Sequence, residues 1–120
     1  MSKALGIIVR SEPYSGRAGR ERLDPALAAA SLEIPLEVFF IGDGVLHLLP
    51  DQQSEFLPAA QYTKAWGALT GLSDAVALYA DSGALERMSA LAGDLGIEVQ
   101  VLDSAAIAKK MNECRAVIHV

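Results

Sequence analysis

Residues 38–53, VFFIGDGVLHLLPDQQ, decide how the whole chain is read. A β-branched and aromatic run stops at Gly42, and a short apolar segment starts with no loop between them. This is the pattern of a strand that reverses directly into a helix or turn. Two glycines after a strand also raise the question of a phosphate cradle. His47 stands where a dinucleotide fingerprint needs its third glycine, and no acidic residue at the right distance follows to hold a ribose. Asp43 therefore reads as an N-cap for the short helix, and Gly42 and Gly44 read as what permits the reversal.

Outward from this segment the same grammar repeats. Residues 4–10, ALGIIVR, form an apolar run suited to a strand buried on both faces. A loop with Pro13, Gly16 and Gly19 follows it. Asp24-Pro25 forms an N-cap and N1 pair, which predicts a helix over 25–32 and a kink in anything helical before it. Residues 60–72 have helical spacing with Tyr62, Trp66 and Leu69 on one face. Strands are predicted over 35–42, 73–80, 97–103 and 114–120. A helix over 82–96 is capped by Ser82, and a short helix is capped by Asp103-Ser104. This alternation predicts one α/β domain: three αβα layers around an approximately five-stranded, largely parallel, flavodoxin-like sheet.

The 120 residues suit a single domain, and 52% hydrophobic content supplies a core. A formal charge of −5 opposes direct nucleic-acid binding, although Arg10, Arg17, Arg20 and Arg22 form a local basic group. The single cysteine, Cys114, excludes an intramolecular disulfide and favours a reducing compartment. No apolar run reaches the ~20 residues that span a bilayer. A cytoplasmic protein without membrane contact is the expectation.

Ligands of open α/β sheets bind beyond the carboxyl ends of the strands, here residues 11–19, 42–44, 80–83 and 103–104. Arg17 and Arg20, between glycines, are a candidate anion site, or else they pair with Glu12, Glu21 or Asp24. SGRAGRE lacks the ending of a P-loop. His47 and His119 lie in apolar contexts, and two histidines with one cysteine make a poor metal set. Neither a cofactor nor a metal is expected. Cys114 falls at the amino end of the last strand, away from the ligand edge, where a buried inert thiol is the favoured reading.

The stretch SGRAGRERLDPALAAASLEIPLEVFFIGDGVLHLLPDQQ resembles the DsrE/DsrF-like family, most closely its TusC/DsrF branch. That branch carries a GREGLDALLA-like segment followed by VFFIxDGVxxLLPxQ. The match is specific in its second half and continues loosely through GLSDAVALYADSGALER to AVIHV. The resemblance implies a three-layer fold and a sulfur-relay role within a heterohexamer. The partners implied are TusB/TusD-like (DsrH/DsrE-like) subunits and, through the complex, a TusE/DsrC-like acceptor. A homo-oligomer of this chain alone is also possible. The sulfur-carrying cysteine of such complexes belongs chiefly to the TusD/DsrE subunit, after its third strand. Here that position reads ALYADSGALER, without a cysteine, which fits a non-catalytic supporting subunit of a sulfurtransferase complex.

On this reading residues 39–53, FFIGDGVLHLLPDQQ, form an assembly element, with Phe40, Val45, Leu46, Leu48 and Leu49 as the candidate interface. Two rival readings differ in class. One is an independent persulfide carrier using Cys114, and the other is a small homo-oligomeric anion- or nucleotide-binding module using Arg17 and Arg20.

Overall fold

Along the first strand Ile7 and Val9 face one way and Ile8 the other, and all three are buried. A strand buried on both faces needs a layer on each side, and the computed structural model shows how the chain supplies them. It describes residues 4–10, 18–48, 59–72, 74–87 and 98–120; within these, the side chains of 18–24, 46 and 59–65 are not described.

The elements in chain order are β1 (Leu5–Val9), α1 (Ala18–Ser31), β2 (Leu36–Phe40), a 3-10 segment (Gly42–Leu48), α2 (Ala59–Leu72), β3 (Val76–Asp81), α3 (Ser82–Arg87), β4 (Gln100–Leu102), α4 (Ser104–Glu113) and β5 (Ala116–His119). The sheet order is β4-β3-β2-β1-β5 and every pairing is parallel. The chain steps outward from β1 to β4, then returns through α4 to the far side of β1. Right-handed crossovers running in opposite directions place their helices on opposite faces.

The two cores follow this division. On one face Ile7, Val9, Val38, Phe40, Leu78 and Ala80 pack with alanines of α1, Val45 and Leu48 of the 3-10 segment, Trp66 and Leu69 of α2, and Ala84 and Leu85 of α3. On the other face Ile8, Phe39 and Tyr79 pack with Ile107 of α4. Phe39 and Tyr79 stack with centroids 5.5 Å apart, as neighbours in register on β2 and β3. The expected three-layer α/β fold is present.

Several boundaries differ from the sequence expectation. Pro25 lies inside α1, which starts at Ala18 rather than at Asp24-Pro25. A mid-helix proline costs about 3 kcal/mol, a loss here set against the buried alanine stripe Ala26, Ala29 and Ala30. The helix then ends in a Schellman motif: Ile34 N–H donates to the Ala29 carbonyl (2.9 Å) and Glu33 N–H to that of Ala30 (3.1 Å). Glu33 occupies the left-handed position, φ 58°, usually held by glycine. Asp81, not Ser82, caps α3, its Oδ1 accepting from Gly83 N–H at 3.2 Å. Asp103 caps α4 as expected, accepting from Ala106 N–H at 2.8 Å. The predicted helix over 82–96 is described only as far as Arg87, and its remainder lies outside the described residues.

Candidate functional site at the carboxyl edge of the sheet

The reversal after β2 is built on its two glycines, and each does a different job. Gly42 adopts φ +53°, the left-handed region that favours glycine. Gly44 is buried, and its Cα lies against the end of β1: a Cβ there would overlap the Val9 carbonyl oxygen and stand 2.6 Å from its carbon. Gly44 N–H turns back to the Ile41 carbonyl (2.9 Å), while Ile41 N–H donates to Val9 (3.0 Å). The pair closes backbone on backbone and leaves no cradle for a phosphate. Asp43 is exposed within the first turn of the 3-10 segment rather than preceding it as a cap, since the segment begins at Gly42.

This close approach presses the 3-10 segment into the core. Phe40, Val45 and Leu48 are each 0% exposed. The expectation that they form an apolar outer surface is therefore corrected: their side chains are used within the subunit. The side chain of Leu46 is not described, and Leu49 lies outside the described residues. His47 is also fully buried, its Nδ1 accepting from Trp66 Nε1–H at 3.3 Å. Trp66 in turn meets Phe40 edge-on, with centroids 5.2 Å apart.

On the α4 face a cavity of about 190 Å3 opens at the carboxyl ends of β1, β2 and β3. Ile41, Ile107, Ala108 and Met111 make its apolar wall; Arg10, Asp81 and Ser104 supply its polar groups. Of the segments expected at the ligand edge, 80–83 and 103–104 reach this cavity through Asp81 and Ser104, although 80–83 is no loop: β3 passes straight into α3 between Asp81 and Ser82. Arg17 lies outside the described residues, and Arg20 is placed only as backbone within α1. No group of three or more histidines, cysteines, aspartates or glutamates is arranged to hold a metal among the described residues. No described helix is long and apolar enough to cross a membrane.

Cys114 lies at the opposite edge, where α4 turns into β5. Its Sγ donates to the Lys110 carbonyl at 3.4 Å and packs against β1, where a Cβ on Gly6 would stand 3.0 Å from it. Burial pushes the thiol pKa up, and the nearby carboxylates of Glu37 and Glu113 push the same way; Lys110 opposes them. A reactive cysteine needs the reverse environment, one that stabilises the thiolate. Sequence reasoning missed the rest of this neighbourhood. Lys110 Nζ sits 4.9 Å over the Tyr79 ring, and Glu37 Oε2 is buried without a hydrogen-bond partner. A spacing pattern does not disclose that β2, β3 and α4 bring these groups together.

The cluster predicts an alkaline limit to stability. Burial and then Glu37 raise the Tyr79 pKa; Tyr79, partly offset by desolvation, raises that of Lys110; Cys114 is raised as above. All three bind their protons more tightly when folded, so their contribution is complete below the ordinary values of 9.0, 10.0 and 10.5 and is lost as pH rises through the folded ones. The melting temperature should fall steadily above about pH 9, and alkylation of Cys114 should accelerate only at higher pH than for a free thiol. A flat profile from pH 8 to 11 together with rapid labelling at pH 7 would contradict this assignment.

Comparison with known proteins agrees with the geometry. The model of the DsrE/DsrF-like family matches residues 3–120. The chain belongs to the DsrE/DsrF-like family. Within that family it is TusC/DsrF-like. A protein TusC homolog of Aliivibrio fischeri is 33% identical over 110 residues, 92% of each chain. Protein TusC of Klebsiella pneumoniae is 35% identical over 118 residues, 98% of each chain. The TusC homolog of Pseudomonas aeruginosa is 34% identical over 109 residues, 89% of each. Among solved structures, the ychN protein from E. coli superposes with a TM-score of 0.78 at 19% identity over the full length of both chains. Protein MTH1491 from Methanobacterium thermoautotrophicum does so with 0.72 at 23%, covering 98% of this chain and 99% of its own. At these identities the structures speak for the fold alone.

Proposed function

We propose that this chain is a non-catalytic TusC-type subunit of a cytoplasmic sulfur-relay complex, assembled with related TusB- and TusD-like chains, in which chiefly the TusD-like chain carries sulfur and the complex passes it to a TusE/DsrC-like acceptor. Transfer serves either wobble-uridine thiolation of tRNA or sulfur oxidation. One observation carries the non-catalytic assignment. The junction between β3 and α3, where the family's carrier subunits hold their cysteine, has Asp81 and Ser82 in this chain. A carboxylate and a hydroxyl form no persulfide. The only cysteine in the sequence lies at the other edge of the sheet with its thiol pKa raised.

Native mass spectrometry of the tagged protein from its own host tests the reading. Two related subunits at equal stoichiometry are expected, and sulfur transfer by that complex should survive Cys114→Ala unchanged. A homo-oligomer alone that carries added sulfur mass on Cys114 would instead make this chain an independent carrier.

A further inference from the structure

With Phe40, Val45 and Leu48 committed to the core, exposed apolar surface must be sought elsewhere. Apart from Ile118 on β5, the exposed large apolar side chains among the described residues lie on α1 and α2, which both end at the amino edge of the sheet. Leu32 is 72% exposed and Leu72 52%, and Leu27, five residues earlier on α1, is 38% exposed. A depression of about 440 Å3 is lined there by Glu33, Gly71, Leu72, Asp74 and Ala75. The exposure of Leu32 is imposed by its position: it is the cap residue of the Schellman turn, which sends Ile34 inward onto the core and leaves Leu32 outside.

A single exposed leucine needs no explanation. Here Leu72 lines a depression and Leu32 directly precedes its lining residue Glu33 in the chain, and the described lining holds two carboxylates and no cation. The charges choose among possible occupants. A second copy packing about a two-fold axis would set the same patch against itself, bringing the carboxylates of Glu33 and Asp74 against those of the other copy. Like charges facing each other across an interface suppress such pairing, whereas opposite charges favour it.

We infer that the leucine patch edged by Glu33 and Asp74 is a docking surface for a different protein chain, one presenting an apolar face with basic side chains at its rim. The inference rests on the reading of this chain as one subunit among related partners, and it names the surface and the chemistry of contact.

The test uses the complex assembled with its TusB- and TusD-like partners. Leu72→Glu should weaken assembly on the order of a hundredfold. Glu33→Gly and Asp74→Asn should weaken it by about tenfold, with reduced salt dependence. Glu33→Gly also keeps the inference testable should Leu72→Glu misfold, because glycine suits the left-handed position and preserves the turn. Carbodiimide cross-links from Glu33 or Asp74 to lysines of another chain would support the surface. Cross-links to a second copy of this chain, or variants that assemble as tightly as the wild type, would overturn it and leave the relay reading intact. Failure of the wild type itself to assemble would overturn both.

Discussion

Gly44→Ala should destabilise the fold strongly. The added Cβ would meet the carbonyl of Val9, a backbone group held in the ladder by Ile41 N–H, so no side-chain rotation relieves the overlap. Overpacking of ordinary cores costs about 1–3 kcal/mol. An overlap with backbone belongs at or beyond the upper end, because β1 or the 3-10 segment must move as a whole. Against total stabilities of about 5–15 kcal/mol, a melting temperature lower by roughly 10 °C or more is expected, read by calorimetry or circular dichroism. Gly42→Ala provides the contrast. Nothing stands within 4 Å of its added Cβ, and only the φ of +53° is unfavourable, at about 1–2 kcal/mol. Equal effects at the two positions would mean that Gly44 is not pressed against β1.

Trp66→Ala should be the costliest truncation in the core. The indole is fully buried, meets Phe40 edge-on, and donates to His47 Nδ1. Removing a buried tryptophan costs about 3–5 kcal/mol through lost transfer energy and the cavity left behind. Loss of a donor to a buried acceptor adds about 1–3 kcal/mol. Trp66→Phe separates these terms, since it keeps most of the apolar volume but leaves His47 Nδ1 without the indole donor. Unfolding by urea is expected to rank wild type above Trp66→Phe and both above Trp66→Ala. A Trp66→Phe variant as stable as the wild type would show that the 3.3 Å contact is electrostatically idle.

The buried histidine also shows where local reading stopped. VLHLL is an apolar context, and a packed His47 was legible from it. Its partner, nineteen positions away on α2, was not, because side-chain pairing between elements depends on how two crossovers stack on one face. The Glu37, Tyr79 and Lys110 neighbourhood escaped for the same reason. Its members come from β2, β3 and α4, and nothing in their spacing links them.

The sequence by itself determined what is local or periodic. Alternating apolar runs and helical spacings required a parallel sheet between helical layers, and β1 to β5 are all parallel. Asp103 was legible as the cap of α4, because a carboxylate one residue before a helix can accept from its first N–H groups, as it does from Ala106. The missing cysteine after β3 was equally plain. Tertiary structure alone decided which elements absorb an apolar surface. A period shows that a face must be buried but not against what, so Phe40, Val45 and Leu48, read as an interface, became core once Gly44 brought the 3-10 segment onto β1. Tertiary structure also settled Pro25, whose cost within α1 is set against packing that no local rule contains. Propensities act over about a turn of chain, whereas burial is fixed by how whole layers meet.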